Sequence, residues 1–285
     1  MSNKNPYSVV YLMGGFGNQL FQLCFANNLR KRGHIVSIDS TNYTLPNDGE
    51  ISKREIIMPV KDFEFKSEPN KGFNFYSNLS KYRNNSFKNY RVFPFKKFND
   101  VNYDERKEGK YNFYVGYWQN TKLISENKDF LFKNLSKNKI INEGLISKPK
   151  TNETMLHIRR EDYLIMKEEL KIDYYEKAIK EATKEIPKFE YNIFTDDIDW
   201  VKKHELFNSA KNVYYSSNSR IDTIKTFSKM LEHNNFIISN STFSLIPAIL
   251  KENETSKIIS PLPWYRNSIK ELNLKQNWIK LDNNE

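Results

Sequence analysis

The feature that most constrains this chain is a regular alternation of strand-like and helix-like segments after residue 153. Short runs rich in β-branched and aromatic residues alternate with segments whose apolar residues recur at helical spacing. The strand-like runs cover 154–158, 191–195, 212–215, 236–239 and 257–260, and the helical patterns cover 173–185, 198–206, 220–231 and 244–250. Repeated β-α units predict a doubly wound parallel sheet, whose ligands bind at the carboxyl ends of the strands.

The amino-terminal part of the chain begins with a related unit. A β-rich run over 8–13 leads into a glycine turn, apolar residues at helical spacing follow, and a second β-rich run covers 34–39. A further strand is predicted over 112–118 and a helix over 120–134, whereas 41–106 shows no clear period. We therefore predict an α/β protein of two Rossmann-type domains whose parallel sheets face each other across a cleft.

A polar stretch ending in 147–152 is the best linker candidate, because Ser, Pro, Asn and Lys accumulate there. It predicts a first domain over 1–150 and a second over 151–285, the latter ending in a polar amphipathic tail helix. The single cysteine, Cys24, lies in an apolar run and is interpreted as a buried structural thiol. One cysteine excludes a disulfide framework and a cysteine-based metal site.

The charge balance favours anionic partners. The 45 Lys and Arg residues exceed the 35 Asp and Glu residues and give a formal net charge of +10. Nucleic acid, anionic lipid surfaces and phosphorylated small molecules all suit this sign. The lysines are scattered and form no dense basic block with interleaved aromatic residues, which disfavours a nucleic-acid groove. No apolar stretch approaches the roughly 18–20 residues that cross a bilayer, so we expect a cytoplasmic protein whose charge would allow loose peripheral attachment to the inner face of the plasma membrane.

Polar clusters follow several predicted strands. The most informative is His157-Ile158-Arg159-Arg160-Glu161-Asp162-Tyr163, which follows the strand over 154–158. Planar arginine forks bind phosphate oxygens bidentately, so two adjacent guanidiniums predict an anion site for a phosphorylated ligand. A solvated basic turn is the alternative. Histidine pairs at helical spacing are absent from the sequence, so Arg159 and Arg160 would supply the site's cations.

Three other clusters have both a functional and a structural interpretation. The turn over 14–19 resembles a Rossmann phosphate loop only in part, and a structural tight turn is the alternative. Asp196 and Asp197 would bind a metal or the polar groups of a nucleotide, or cap a helix. The hydroxyl-rich segment 239–244 would cradle phosphate at a helix N-terminus, or simply cap that helix.

The motifs and their order resemble those of the α-1,2-fucosyltransferase family, glycosyltransferase family 11, over residues 9 to about 265. The matching segments are Gly14-Gly15-Phe16-Gly17-Asn18-Gln19-Leu20-Phe21-Gln22, Gly116-Tyr117-Trp118-Gln119, His157 to Tyr163, Tyr174 to Ile179, Phe194-Thr195-Asp196-Asp197 and Asn240-Ser241-Thr242-Phe243-Ser244. The resemblance implies a GT-B-like, inverting enzyme that uses GDP-β-L-fucose and needs neither a metal nor another cofactor.

The resemblance also implies roles for individual residues. Arg159 would hold the GDP phosphates and stabilise the leaving diphosphate, and Asp162 would be the catalytic base or a brace for the arginine pair. The first domain would face the acceptor and the second would bind the GDP-sugar. The donor-binding residues would be His157, Arg159, Arg160, Asp196, Asn240, Ser241, Thr242 and Phe243, and the residues near the reacting sugar would be Gly15, Gly17, Asn18 and Gln19.

Two positions depart from the family pattern. Glu161 stands where the family usually has glycine, and we expect its carboxylate to point away from the phosphate site. Leu245-Ile246-Pro247-Ala248 replaces a more aromatic and glycine-rich continuation, so we expect different helix packing behind the motif.

The expected activity is that of a bacterial galactoside α-1,2-fucosyltransferase in surface polysaccharide (O-antigen) synthesis. Its partners would be a GDP-sugar, a galactose-terminated oligosaccharide or lipid-linked glycan, and an anionic membrane face. The alternatives are a transferase with another nucleotide-sugar donor or acceptor, and a non-catalytic sugar- or nucleotide-binding module.

Overall fold

The computed structural model describes residues 5–44, 54–67, 96–101, 103–266 and 271–283. It has a mixed α/β fold with two parallel sheets, which confirms the predicted fold class. The chain divides into two compact units, the first comprising described residues up to Gln119 and the second those from Asn120 onward. Among the described residues, no helix has the length and apolarity needed to cross a bilayer.

The first unit is built on a five-stranded sheet. Its strands are β1 (Tyr7–Tyr11), β2 (Ile35–Asp39), β3 (Lys66–Ser67), β4 (Lys96–Asn99) and β5 (Tyr111–Val115), and its long helix is α1 (Phe16–Lys31). The strand order is β3-β2-β1-β5-β4, and all neighbouring pairs are parallel. The predicted β-α-β start of the chain is confirmed, with β1 at the centre of the sheet.

Aromatic packing and an ion pair between Arg32 and Glu108 stabilise the first unit. The Phe25 ring stacks on the Trp118 ring with centroids 3.9 Å apart, and Tyr103 and Tyr114 pack edge-on against both. Glu108 accepts hydrogen bonds from the Tyr114 hydroxyl at 2.6 Å, the Tyr103 hydroxyl at 2.8 Å and Arg32 at 2.9 Å. Burial opposes ionisation of Glu108, but these three donors outweigh it and lower the pKa of that carboxyl.

The second unit is built on a six-stranded sheet. Its strands are β6 (Lys150–Ile158), β7 (Glu190–Thr195), β8 (Asn212–Tyr215), β9 (His233–Ile237), β10 (Ile258–Leu262) and β11 (Ile279–Asp282). Its helices are α2 (Thr121–Ser125), α3 (Lys128–Leu135), α4 (Lys139–Ile146), α5 (Glu161–Met166), α6 (Ile172–Glu185), α7 (Ile198–Lys202), α8 (Arg220–Met230) and α9 (Thr242–Lys251). The order β11-β10-β9-β6-β7-β8 is that of a dinucleotide-binding Rossmann sheet, with its switch point between β6 and β9.

The structure corrects two predictions at the edges of this unit. Helices α2, α3 and α4 belong to the second unit, so the division falls at Gln119 and not near residue 150. The polar stretch before 150 contains α4, which buries Ile141 and Leu145. The predicted tail helix is replaced in 271–283 by β11, which pairs in parallel with β10 and completes the sheet.

Candidate functional site

The predicted polar clusters of the second unit lie at one edge of its sheet. Arg159 follows β6, Asp196 follows β7 and Asn240 lies just beyond β9. Because all six strands are parallel, their carboxyl ends share that edge. The edge contains the switch point between β6 and β9, where open α/β sheets bind their ligands.

Arg159 lies between two carboxylates. Its Nη2 donates to Asp162 Oδ1 at 2.5 Å, and its Nη1 lies 2.8 Å from Asp196 Oδ2. The second contact is an ion pair without hydrogen-bond alignment, since Asp196 Oδ2 has no hydrogen-bond partner. Burial works against the charge of Arg159, but Asp196 and Asp162 outweigh burial and raise the pKa of its guanidinium. The arginine therefore stays charged at the sheet edge.

Arg160 is held by a different set of groups. Its backbone N–H donates to Asp196 Oδ1 at 2.8 Å, and its Nε donates to Asp197 Oδ2 at 3.1 Å. Its guanidinium carbon lies 4.3 Å from the centroid of the Trp200 ring, at cation–π distance. Arg160 thus fixes the β7–α7 turn against the end of β6, and its side chain is committed to that role.

The two aspartates after β7 have separate functions. Asp197 caps α7 by accepting from the Trp200 backbone N–H at 2.9 Å, as the capping interpretation predicts. Asp196 is buried and faces Arg159. Burial raises the pKa of Asp196, and Arg159 partly offsets that rise.

His157 lies inside the unit, on β6. Its Nδ1 is 2.8 Å from the Ser239 hydroxyl, which joins the ends of β6 and β9, and its ring centroid is 6.0 Å from that of Phe243. Burial, assisted by the nearby positive charge of Arg159, lowers the pKa of His157 to about 3. The imidazole is therefore neutral at neutral pH.

The segment after β9 is held by α5 and the loop that follows it. The Tyr163 hydroxyl donates to the Asn240 carbonyl at 3.0 Å, and the Asn240 side-chain amide donates to the Glu168 carbonyl at 2.8 Å. Ser241 caps α9 by accepting from the Phe243 N–H at 3.3 Å, and Thr242 begins the helix. Asn240 Oδ1 is buried without a hydrogen-bond partner.

The two departures from the family pattern have local structural explanations. Glu161 accepts a hydrogen bond from the Asn218 side chain at 2.7 Å, in the loop between β8 and α8. The run from Leu245 to Ala248 is buried within α9, with Pro247 inside the helix. These apolar side chains form the packing face of α9 behind the motif.

In the first unit, the glycine turn is shaped by its own backbone. Gly14 has φ +80°, and a Cβ there would lie 2.9 Å from both Asn18 Nδ2 and Tyr117 Cε1. Its carbonyl accepts from Gln19 Nε2 at 3.1 Å and from the Tyr43 hydroxyl at 2.8 Å. Only glycine fits this position without strain.

The predicted sugar-side residues differ in accessibility. Gln19 is buried, and its amide also bonds to the Glu55 carbonyl and the Ile57 N–H. Asn18 is half-buried and accepts from Gln119 Nε2 at 2.8 Å. Gly17 is buried in α1, whereas a Cβ on Gly15 would meet nothing within 4 Å. Gly15 and Asn18 thus present the open side of the turn, and Gln19 braces it.

The sequence analysis assigned no individual role to several residues that support the site. Ser239 is the partner of His157, Tyr163 and Glu168 fix Asn240, and Tyr174 donates to the Ile238 carbonyl at 2.6 Å. Only the adjacency of β6 and β9 indicates that Ser239 contacts His157, and this adjacency is known only once the strand order of the sheet is known. Within the described residues, no group of three His, Cys, Asp or Glu side chains is placed to hold a metal ion.

Fold and site together define a Rossmann-type α/β protein. Its arginines, aspartates and the capped N-terminus of α9 lie together at the switch point of the second sheet. The chain belongs to glycosyl transferase family 11, whose family model matches residues 10–282. It is therefore a glycosyltransferase of a GT-B-like family, which implies a nucleotide-sugar donor and a glycan acceptor.

Two curated relatives from Escherichia coli match almost the whole chain. One, named alpha-1,2-colitosyltransferase, is 28% identical over 306 aligned positions that cover 96% of this chain and 98% of that protein. The other, named O-antigen biosynthesis glycosyltransferase WbnK, is 27% identical over 308 positions that cover 95% of this chain and 99% of that protein.

Proposed function

We propose that this protein transfers L-fucose from GDP-β-L-fucose to the 2-hydroxyl of a terminal galactoside, with inversion at the anomeric carbon. The acceptor hydroxyl attacks the anomeric carbon, the bond from that carbon to the diphosphate oxygen breaks, and GDP leaves. The hydroxyl proton passes to a base. Arg159 would neutralise the negative charge that develops on the leaving diphosphate.

The observation that carries this proposal is the position of Arg159. It follows β6 at the switch point and stays charged between Asp162 and Asp196. The capped N-terminus of α9 lies on the same edge and offers helix-dipole stabilisation to a phosphate. This combination suits a diphosphate leaving group better than it suits a neutral ligand.

A second donor is favoured by one of the relatives, whose name specifies α-1,2 transfer of colitose. Colitose has the ring configuration of L-fucose without its 3-hydroxyl, so the two GDP-sugars would share a diphosphate site. They would differ only in the contacts made to one position of the sugar. The linkage in that name agrees with the proposed α-1,2 transfer.

The proposed biological role is the extension of a bacterial surface polysaccharide, as the O-antigen name of the other relative suggests. The acceptor would be a galactose-terminated oligosaccharide or a lipid-linked glycan. A net charge of +10 supports an approach to an anionic membrane surface on the cytoplasmic side.

The proposal is tested by combining a panel of sugar donors with a panel of acceptors. Purified enzyme is incubated with GDP-fucose, GDP-colitose, GDP-mannose or UDP-galactose together with β-galactosides, and the product linkage is determined by NMR. We expect α-1,2-fucosyl galactoside from GDP-fucose, and no product from the Arg159→Ala variant. Preference for GDP-colitose would select the second donor, and turnover of UDP-galactose alone would contradict both.

A further inference from the structure

The segment that follows β10 places a third arginine, Arg266, beside the candidate donor site. Its Nη1 donates to the Glu169 carbonyl at 2.7 Å, and its backbone N–H donates to Glu168 Oε2 at 2.7 Å. The Glu168 carbonyl in turn accepts from the Asn240 side chain at 2.8 Å. The guanidinium and Asn240 therefore contact adjacent peptide groups of one short loop, next to the switch point.

The guanidinium of Arg266 differs from those of Arg159 and Arg160 in how its positive charge is compensated. Arg159 contacts Asp162 and Asp196, and Arg160 contacts Asp197 and the Trp200 ring. Arg266 is half-buried, and its guanidinium forms no ion pair with a carboxylate within the described part of the chain, the neighbouring Glu168 and Glu169 included. A partly buried guanidinium with one carbonyl acceptor keeps donors for an anion.

The local charge balance at the edge also calls for another cation. Two guanidiniums, of Arg159 and Arg160, lie among the carboxylates of four acidic residues. Those residues are Glu161, Asp162, Asp196 and Asp197. A diphosphate would enter a cluster with more negative than positive side chains, so binding needs positive charge from outside that cluster. The helix dipole of α9 supplies part of it.

We propose that Arg266 binds the diphosphate of the donor nucleotide and is a further donor-binding residue of this enzyme. The assignment rests on the proposed function for its ligand class, a nucleoside diphosphate sugar. Arg266 contacts the phosphate oxygens through the free donors of its guanidinium, while its contact with the Glu169 carbonyl holds it in place. Arg159 acts on the same diphosphate from the β6 side.

The test separates a phosphate contact from a structural one. Arg266→Gln removes the charge but keeps a donor for the Glu169 carbonyl, and Arg106→Gln is the matched control because Arg106 is an exposed arginine in the first unit. Binding of GDP, guanosine and inorganic pyrophosphate is measured by titration calorimetry. We expect Arg266→Gln to weaken GDP and pyrophosphate about tenfold or more, with guanosine unchanged and the control equal to wild type.

Other outcomes overturn the assignment. GDP affinity equal to wild type in Arg266→Gln, or equal loss for GDP and guanosine, would show that Arg266 only supports the loop. Failure of the proposed function looks different, because wild type would bind GDP through Arg266 and yet transfer no sugar from any GDP donor. If wild type binds neither GDP nor pyrophosphate, both proposals are wrong.

Discussion

The contacts of Asp162 distinguish between the two roles predicted for it, the catalytic base and a brace for the arginine pair. Its Oδ1 accepts from Arg159 at 2.5 Å, and its side chain is 11% exposed. A carboxylate engaged in this way holds the arginine in position, whereas a general base must reach the acceptor hydroxyl. The sequence left both roles open, and the contact with Arg159 favours the brace.

Asp162→Asn distinguishes the two roles, because asparagine keeps an acceptor oxygen at the same length and cannot take a proton. For a brace we expect a loss of about tenfold in kcat/KM together with weaker GDP binding, since a charge-assisted bond becomes a neutral one. For a base we would see a loss of roughly 10³ with GDP affinity unchanged. Glu161→Gln is the matched control, because Glu161 bonds to Asn218 and its neutralisation should leave GDP binding equal or tighter.

His157 makes stability depend on pH. Its pKa is about 3 in the folded chain, below the value near 6.5 expected in the unfolded chain. The unfolded state therefore binds more protons between these values, so the stability present above pH 6.5 is lost as pH falls toward 3. Between pH 7 and pH 5, this effect of His157 should lower the free energy of unfolding by about 2 kcal/mol.

Urea unfolding of the wild type and of His157→Asn at pH 5, 6, 7 and 8 measures this contribution. Asparagine keeps an acceptor for the Ser239 hydroxyl but does not titrate, so the variant should lose about 2 kcal/mol less than wild type between pH 7 and 5. The pKa values of His34 and His233 are also lowered, and both residues remain in the two proteins. Parallel stability curves would contradict the assignment.

At the scale of elements, the contact between α4 and α8 depends on one glycine. A Cβ on Gly144 would lie 2.2 Å from the Ser228 carbonyl oxygen, and the Ser228 hydroxyl donates to the Ile140 carbonyl at 2.5 Å. The Lys251 ammonium lies at the C-terminal end of α4, 3.0 Å from the Leu145 carbonyl. Backbone on both sides of the contact leaves no flexible side chain to move away.

Gly144→Ala should therefore destabilise the protein by about 2–3 kcal/mol, because the two helices must separate. Thermal and urea unfolding followed by circular dichroism would measure the loss. Gly15→Ala is the control, since its Cβ meets nothing within 4 Å and the change should cost under about 1 kcal/mol. Equal effects of the two substitutions would show that α4 and α8 are less closely packed than the structure indicates.

The burial of each strand and helix decides whether it could be predicted from the sequence. Central parallel strands such as β7 are buried on both faces and rich in aromatic and β-branched residues, and helices such as α6 show a periodic buried face. Both kinds of element could therefore be predicted from the sequence. The edge strands β4 and β11 contain lysine and pair on one side only, so their sequences resemble loops. The short helix α5 lies within the arginine motif and has one buried residue, Asp162.

The candidate site was predictable in its location and not in its contacts. Strand alternation in the sequence places Arg159 at the carboxyl edge of the sheet, because that position follows from topology alone. The partners of Arg159 and Arg160 depend on which carboxylate each side chain reaches across neighbouring strands. The contacts of Arg266 could not be predicted either, since its environment is created by a loop almost a hundred residues earlier in the chain.

At the scale of the whole molecule, the net charge of +10 bears on how the leaving diphosphate is neutralised. Many transferases use a divalent cation for this task. The proposed function assigns it to arginines, which are permanently charged and cannot be chelated. A protein with this excess of positive charge also attracts an anionic donor over a distance, and salt screens that attraction.

Transfer from GDP-fucose should therefore proceed at the same initial rate in excess EDTA as without it. Mg²⁺ or Mn²⁺ added at matched ionic strength should give the same rate as NaCl, because any salt weakens the attraction of a subsaturating donor by screening. The matched salt is essential, since a divalent salt alone would lower the rate by screening and conceal a small activation. Complete loss in EDTA that Mn²⁺ restores would overturn the metal-independent mechanism and the role given to Arg159.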